Sequence, residues 1–163
     1  MSNTFQLNSS AIGVDLNNQS STALFAVGTH VLGNNDTEWV YVQANTSILA
    51  NTIVAYNATF TAGMASGGDL VTLGSKLATA QTSISSNAYG WVAVRGLGLT
   101  VSQTGTTSVL GPVSLAASGV PTGFISFQIS ASNTLAGVVF TATVSATACV
   151  VNMTWPRGAQ NGL

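Results

Sequence analysis

Charge is nearly missing from this sequence. Of its 163 residues only 4 % are charged, three Lys or Arg against four Asp or Glu, where an ordinary soluble domain carries roughly 25 %. The cations Lys76, Arg95 and Arg157 are scattered along the chain. Displacing counterions from nucleic acid needs them clustered, which argues against a nucleic-acid partner. Attraction to anionic lipid fails for the same reason, so no membrane partner is expected. A dispersed monomer depends on mixed surface charges and a net charge away from zero, and the net charge here is -1. Ser, Thr, Asn and Gly fill the polar positions instead. The expectation is a surface covered by further copies of the chain or by a partner. The alternative is a monomer kept soluble by hydroxyl groups.

The groups that carry chemistry are equally scarce. Cys149 is the only cysteine, so an intramolecular disulfide is impossible. It runs in phase with Val151, Met153 and Trp155, which reads as a small core residue. His30 is the only histidine. It has no Gly-x-Ser-x-Gly elbow for a triad and too few companion ligands for zinc. Asp36 and Glu38 sit where a turn enters a strand and read as a solvated turn, since two carboxylates alone do not define a site. Gly96-Leu97-Gly98-Leu99 lacks the Lys and helix of a phosphate loop and reads as a turn or bend. No catalytic residue, cofactor or metal is therefore expected, and the chain is read as a non-enzyme. Residues 1–10 hold neither a cation nor an apolar run, unlike a signal peptide. The most apolar stretch, residues 135–151, is interrupted by Thr and Ser and reads as two strands. Synthesis in a cytoplasm is expected.

What the sequence has in quantity is apolar residues, 46 %, arranged with period two. In residues 38–44, Trp39 and Tyr41 oppose Val40 and Val42. In residues 53–61, Val54, Tyr56, Ala58 and Phe60 share a face. Further strands are expected at 70–73, 77–84, 89–95, 97–101 and 124–130. A final hairpin, 137–144 with 148–155, turns near Ser145 and Ala146. Turn signals separate these runs at Gly33-Asn34-Asn35-Asp36, Gly67-Gly68-Asp69, Ser85-Ser86-Asn87, Gly111-Pro112 and Val120-Pro121-Thr122-Gly123. The fold class is all-β, an antiparallel sandwich or barrel, preceded by an extended N-terminal arm. The arm takes residues 1–22 and a single β domain takes 23–163. The arm is polar with spaced apolar residues at Phe5, Leu7, Ile12 and Val14. It reads either as a strand that adds to another surface or as a frayed terminus.

Three phrases carry a family resemblance. The first is Gly28-Thr29-His30-Val31-Leu32-Gly33 followed by Asn34-Asn35-Asp36-Thr37-Glu38-Trp39-Val40-Tyr41-Val42-Gln43-Ala44. The second is Asn87-Ala88-Tyr89-Gly90-Trp91-Val92-Ala93-Val94-Arg95-Gly96. The third is the ending Asn152-Met153-Thr154-Trp155-Pro156-Arg157. In order and spacing they resemble the small decoration, or cement, proteins on the outside of tailed-bacteriophage capsids. The resemblance implies a structural virion protein, with the capsid exterior as its final location, that binds the major capsid protein, assembles with itself as a homotrimer and braces the shell. It carries over no catalytic residue. On this reading Phe5, Leu7, Ile12 and Val14 are capsid or subunit contacts. The competing expectation is a subunit of a trimeric phage fibre or spike that binds a host receptor.

Overall fold

Short turns with side-chain support set the strand boundaries. Asn35 and Asp36 are both left-handed, at φ 54° and 56°, and the Thr37 N–H donates to the Asn34 carbonyl at 3.1 Å. Two positive dihedrals in a two-residue loop mark a type I′ hairpin turn, whose twist matches the strands on either side. A computed structural model describes residues 14–66, 76–104, 113–115, 125–126, 134–145 and 147–159. Among them the only regular elements are strands: β1 (His30–Leu32), β2 (Glu38–Ala44), β3 (Thr52–Tyr56), β4 (Thr61–Met64), β5 (Lys76–Ala80), β6 (Tyr89–Thr104), β7 (Val113–Leu115), β8 (Ile125–Ser126), β9 (Thr134–Ser145) and β10 (Ala148–Ala159). The all-β expectation is met, and the architecture is a barrel.

The strands close into a ring. The hydrogen-bonded order β2-β4-β3-β5-β6 returns on itself through β2–β6 pairing, with Tyr41 opposite Trp91 and Val40 opposite Val92. Only β2–β4 is parallel in this ring. A second circuit runs β6-β10-β9-β7-β8 and closes where β8 pairs in parallel with the far end of β6. The two circuits share β6. Its Tyr89–Arg95 half serves the first ring and its C-terminal half the second. Between the halves, Val151 and Met153 of β10 face Leu99 and Gly96 of β6, so β6 carries one extra residue. Such a bulge bends its strand. Gly98 takes the left-handed conformation there, at φ 75°, and its N–H donates to Asn152 Oδ1 at 3.1 Å. Gly96-Leu97-Gly98-Leu99 is thus a bulge inside one long strand rather than a turn.

Both faces of the first ring are buried. Val40, Val42, Val54, Tyr56, Ala62, Ala78, Val92 and Val94 form one buried cluster. Every strand of the ring contributes to it, so it fills the interior, and Val and Ala suit so narrow a barrel. Trp39, Tyr41, Ile53, Leu77, Trp91 and Ala93 lie on the outer face and are buried in a second cluster with Leu99, Val101, Cys149, Val151 and Met153. Leu16 is 2 % exposed in that second cluster, and Val14 and Phe25 pack against it. The chain before β1 therefore covers the outer aromatics. Ser20 exchanges backbone hydrogen bonds with Tyr89 at 3.0 and 2.8 Å, and Gln19 Oε1 accepts from the Ser85 N–H at 2.6 Å.

Three sequence expectations are corrected. The strand expected over 53–61 stops at Tyr56. Asn57 Oδ1 accepts from the N–H groups of Thr59 and Thr61, both at 3.0 Å, and this side-chain turn competes with the ladder. Phe60 is left-handed at φ 60° and stacks on Tyr56 at 6.1 Å between ring centroids. The strand expected over 77–84 ends at Ala80, and Val14, assigned to the arm, is partly buried against the core. Trp155, assigned to the core phase of Cys149, is 50 % exposed, for a reason given below. The terminal hairpin stands where expected. The strand at 70–73 and the turns at Gly67, Gly111 and Val120 lie outside the described residues, as does 124–130 apart from Ile125 and Ser126.

Candidate functional site

In a chain with so little charge, the places where charge gathers are informative. Antiparallel pairing of β2 and β6 sets Glu38 opposite Arg95. Pairing of β3 and β5 sets Tyr56 opposite Lys76. Pairing of β1 and β2 places His30 beside this end of β2. Glu38, Tyr56, Lys76 and Arg95 thus converge where β2 and β5 begin and β3 ends, at one mouth of the first ring. A cleft of about 410 Å³ opens there, lined by His30, Tyr56, Lys76, Leu77, Val94, Trp155 and Pro156.

The ionic groups hold one another in place. His30 Nδ1–H donates to Glu38 Oε1 at 2.8 Å. The Arg95 guanidinium pairs with both carboxylate oxygens of Asp36. Each pair has one exposed member and one partly buried one, and surface pairs contribute only about 0–1 kcal/mol to stability. Their effect is positional. Burial, and then the nearby Glu38 carboxylate, push the Tyr56 hydroxyl above its ordinary pKa, so it remains a protonated donor at neutral pH. Lys76 has no carboxylate within ion-pair distance among the described residues.

Trp155 reaches the cleft through a break in the ladder. Between Met153 and Arg157, β10 spends four steps where β9 takes two, from Val138 to Ala136. The surplus is a wide bulge, and it reverses the phase that runs through Cys149, Val151 and Met153. Trp155 sits in it at φ 42°, a conformation that costs a bulky residue about 1–3 kcal/mol. Gly137 lies across the bulge at φ 79°, and a Cβ there would come within 2.5 Å of the Thr154 carbonyl oxygen. Only glycine admits that approach. The Arg95 guanidinium lies 5.3 Å from the Trp155 ring centroid and fixes the indole by a cation–π contact. The bulge did have a sequence signal: Pro156 inside a strand pattern, since proline is confined to edges and bulges.

The other expected features fall as follows. Asp36 and Glu38 each have an ionic partner and do not face each other as a dyad. Cys149 is fully buried, and burial pushes its thiol up to about 12, which leaves no thiolate at neutral pH. No group of three or more His, Cys, Asp or Glu that could hold a metal occurs among the described residues. No helix among them is long and apolar enough to cross a membrane. Of the four residues assigned to capsid or subunit contact, Phe5, Leu7 and Ile12 lie outside the described residues.

No protein-family model matches the chain, and no curated protein matches it in sequence. The site is accordingly read from its own geometry. A second cleft of about 270 Å³ lies beside Asn45, Asn57, Thr61 and Gly63. It offers amides and hydroxyls but no charge.

Proposed function

We propose that the chain is a non-enzymatic virion protein that binds the outside of an assembled phage capsid, as a homotrimer in contact with the major capsid protein, and braces it. One observation carries the reading. The charged groups described above gather at one mouth of the barrel, and a broad sheet face has none among its described side chains. On β6, β9 and β10 the positions that alternate with the buried Leu99, Phe140 and Val151 are Thr100, Val139, Thr141, Val150, Asn152 and Thr154, all exposed or partly so. Natural sheets guard open edges with charge, above all Lys, and a dispersed monomer keeps mixed charges over its surface. A face that lacks such protection suits a surface that is covered in use.

Bracing a shell under internal pressure needs many copies, each touching several subunits. Individually weak contacts suffice, because tethering raises effective concentration. A closed oligomer on a lattice symmetry axis meets the geometry. Phe5, Leu7, Ile12 and Val14 remain the proposed arm contacts, Val14 through the part that its packing leaves exposed. The cleft at the barrel mouth favours a second reading, a trimeric fibre or spike subunit. Electron microscopy of virions with and without the protein separates the two, because the density lies either on the head lattice or on a tail appendage.

An interface of this composition predicts salt resistance. Salt screens exposed ion pairs over a Debye length of about 8 Å at physiological strength, while excluded salts leave apolar burial intact or strengthen it. The protein should co-sediment with undecorated capsids equally well in low and in molar sodium chloride. Release at moderate salt would refute the apolar interface.

A further inference from the structure

The cleft at the barrel mouth has properties that capsid attachment does not use. Its volume of about 410 Å³ lies within the roughly 300–1,000 Å³ of small-molecule sites. It combines a flat aromatic surface, a cation with no ion pair among the described residues and hydrogen-bonding groups of both kinds. Trp155 remains 50 % exposed although the ladder is broken and the backbone strained to turn it outward. A residue strained at a cleft and held by a chain of contacts, Asp36 to Arg95 to indole, is a preorganised surface rather than a stray side chain. Lys76, exposed and without a carboxylate among the described residues, lines the same cleft.

These features define a ligand. A pyranose ring presents an apolar face of C–H groups that stacks on an indole, and its hydroxyls both donate and accept. Tyr56 supplies a hydroxyl and His30 a ring nitrogen at the wall. Arg95 is already neutralised by Asp36, and Glu38 is occupied by His30. Among the described side chains Lys76 is the cation left without an ion pair. It matches a ligand with one carboxylate and is too little for a di- or triphosphate, which recruits several cations. We propose that this cleft binds an acidic saccharide, with one sugar ring stacked on Trp155 and its carboxylate at Lys76. The assignment is independent of the capsid reading. Either stands if the other fails.

The test is titration of the full-length protein with sialyllactose, a glucuronic-acid oligosaccharide and lactose, followed by tryptophan fluorescence and calorimetry. Both acidic sugars should bind roughly tenfold or more tighter than lactose, the worth of one charge-assisted contact. Lys76→Gln should bring the acidic sugars to within about twofold of lactose and leave lactose unchanged. Trp155→Ala should weaken all three about tenfold or more, and Trp155→Phe should recover part of the loss. Circular dichroism checks that the Trp155 variants are folded. Should Trp155→Ala not fold, the exposed Lys76→Gln carries the test alone. The proposal is overturned if no sugar binds at millimolar concentration, if lactose binds as tightly as the acidic sugars, or if Lys76→Gln keeps the preference.

Discussion

Trp91→Ala will destabilise the protein by about 3–5 kcal/mol, the range for deleting a buried aromatic. Trp91 is 2 % exposed and sits where three layers meet. Its ring lies 4.9 Å from Tyr41 across the β2–β6 pair and 5.4 Å from Phe25 in the covering segment. Alanine would leave a void between ring and cover that neither can fill without moving backbone. Domains are stable by only about 5–15 kcal/mol, so the loss is a large share of the total. Urea unfolding followed by circular dichroism gives the number. Trp155→Ala is the internal control. Its indole is half exposed and its backbone strained, so the same measurement should change by less than about 1 kcal/mol. A Trp91 variant as mild as the Trp155 variant would show that the outer face of the barrel is not core.

Truncation should have an equally large effect, with a sharp boundary. Removing residues 2–13 keeps every described core contact, so the unfolding midpoint should be unchanged. Removing residues 2–22 takes away Leu16, the Val14 contact, both backbone bonds from Ser20 to Tyr89 and the Gln19 cap on Ser85. Loss of one fully buried leucine costs about 2–5 kcal/mol, and the net worth of each lost hydrogen bond adds about 1 kcal/mol. The uncovered Tyr41 and Trp91 would then face water, so aggregation should accompany the loss. Equal midpoints for the two truncations would mean that residues 14–22 contribute nothing to the core. The shorter truncation also isolates Phe5, Leu7 and Ile12. Weakened capsid binding at full stability would assign them to attachment.

The sequence was readable where its signals were local. Residues 38–44 and 89–95 alternate cleanly, and both are strands. The terminal hairpin was visible because its two halves are adjacent. Alternation tells which residues share a face, but not how many faces are covered. Trp39 and Tyr41 are as buried as Val40 and Val42, because the closed ring buries one set and the covering segment the other. Closure leaves no local trace. The parallel β2–β4 pair and the Glu38–Arg95 register join residues whose neighbours say nothing of each other. The site was hidden for the same reason. Glu38, Tyr56, Lys76 and Arg95 meet only through strand pairing. Phe60 and Trp155 broke phase at an Asn-based turn and a proline bulge, where side chains outcompete the ladder.

The sharing of β6 between two rings has a consequence during synthesis. Neither ring can close before β6 has left the ribosome. At about 5–20 residues per second, β2 waits several seconds for the strand that will pair with it. Through that interval Trp39, Tyr41, Val40 and Val42 lack the β6 residues, Trp91 and Val92 among them, that complete both clusters. Each nascent chain thus passes through a stage in which the edge of β2 that β6 will take is open to any neighbour, including a second copy emerging beside it. The β9–β10 hairpin meets no such delay, since its strands follow one another directly and the β6 they dock against is already made.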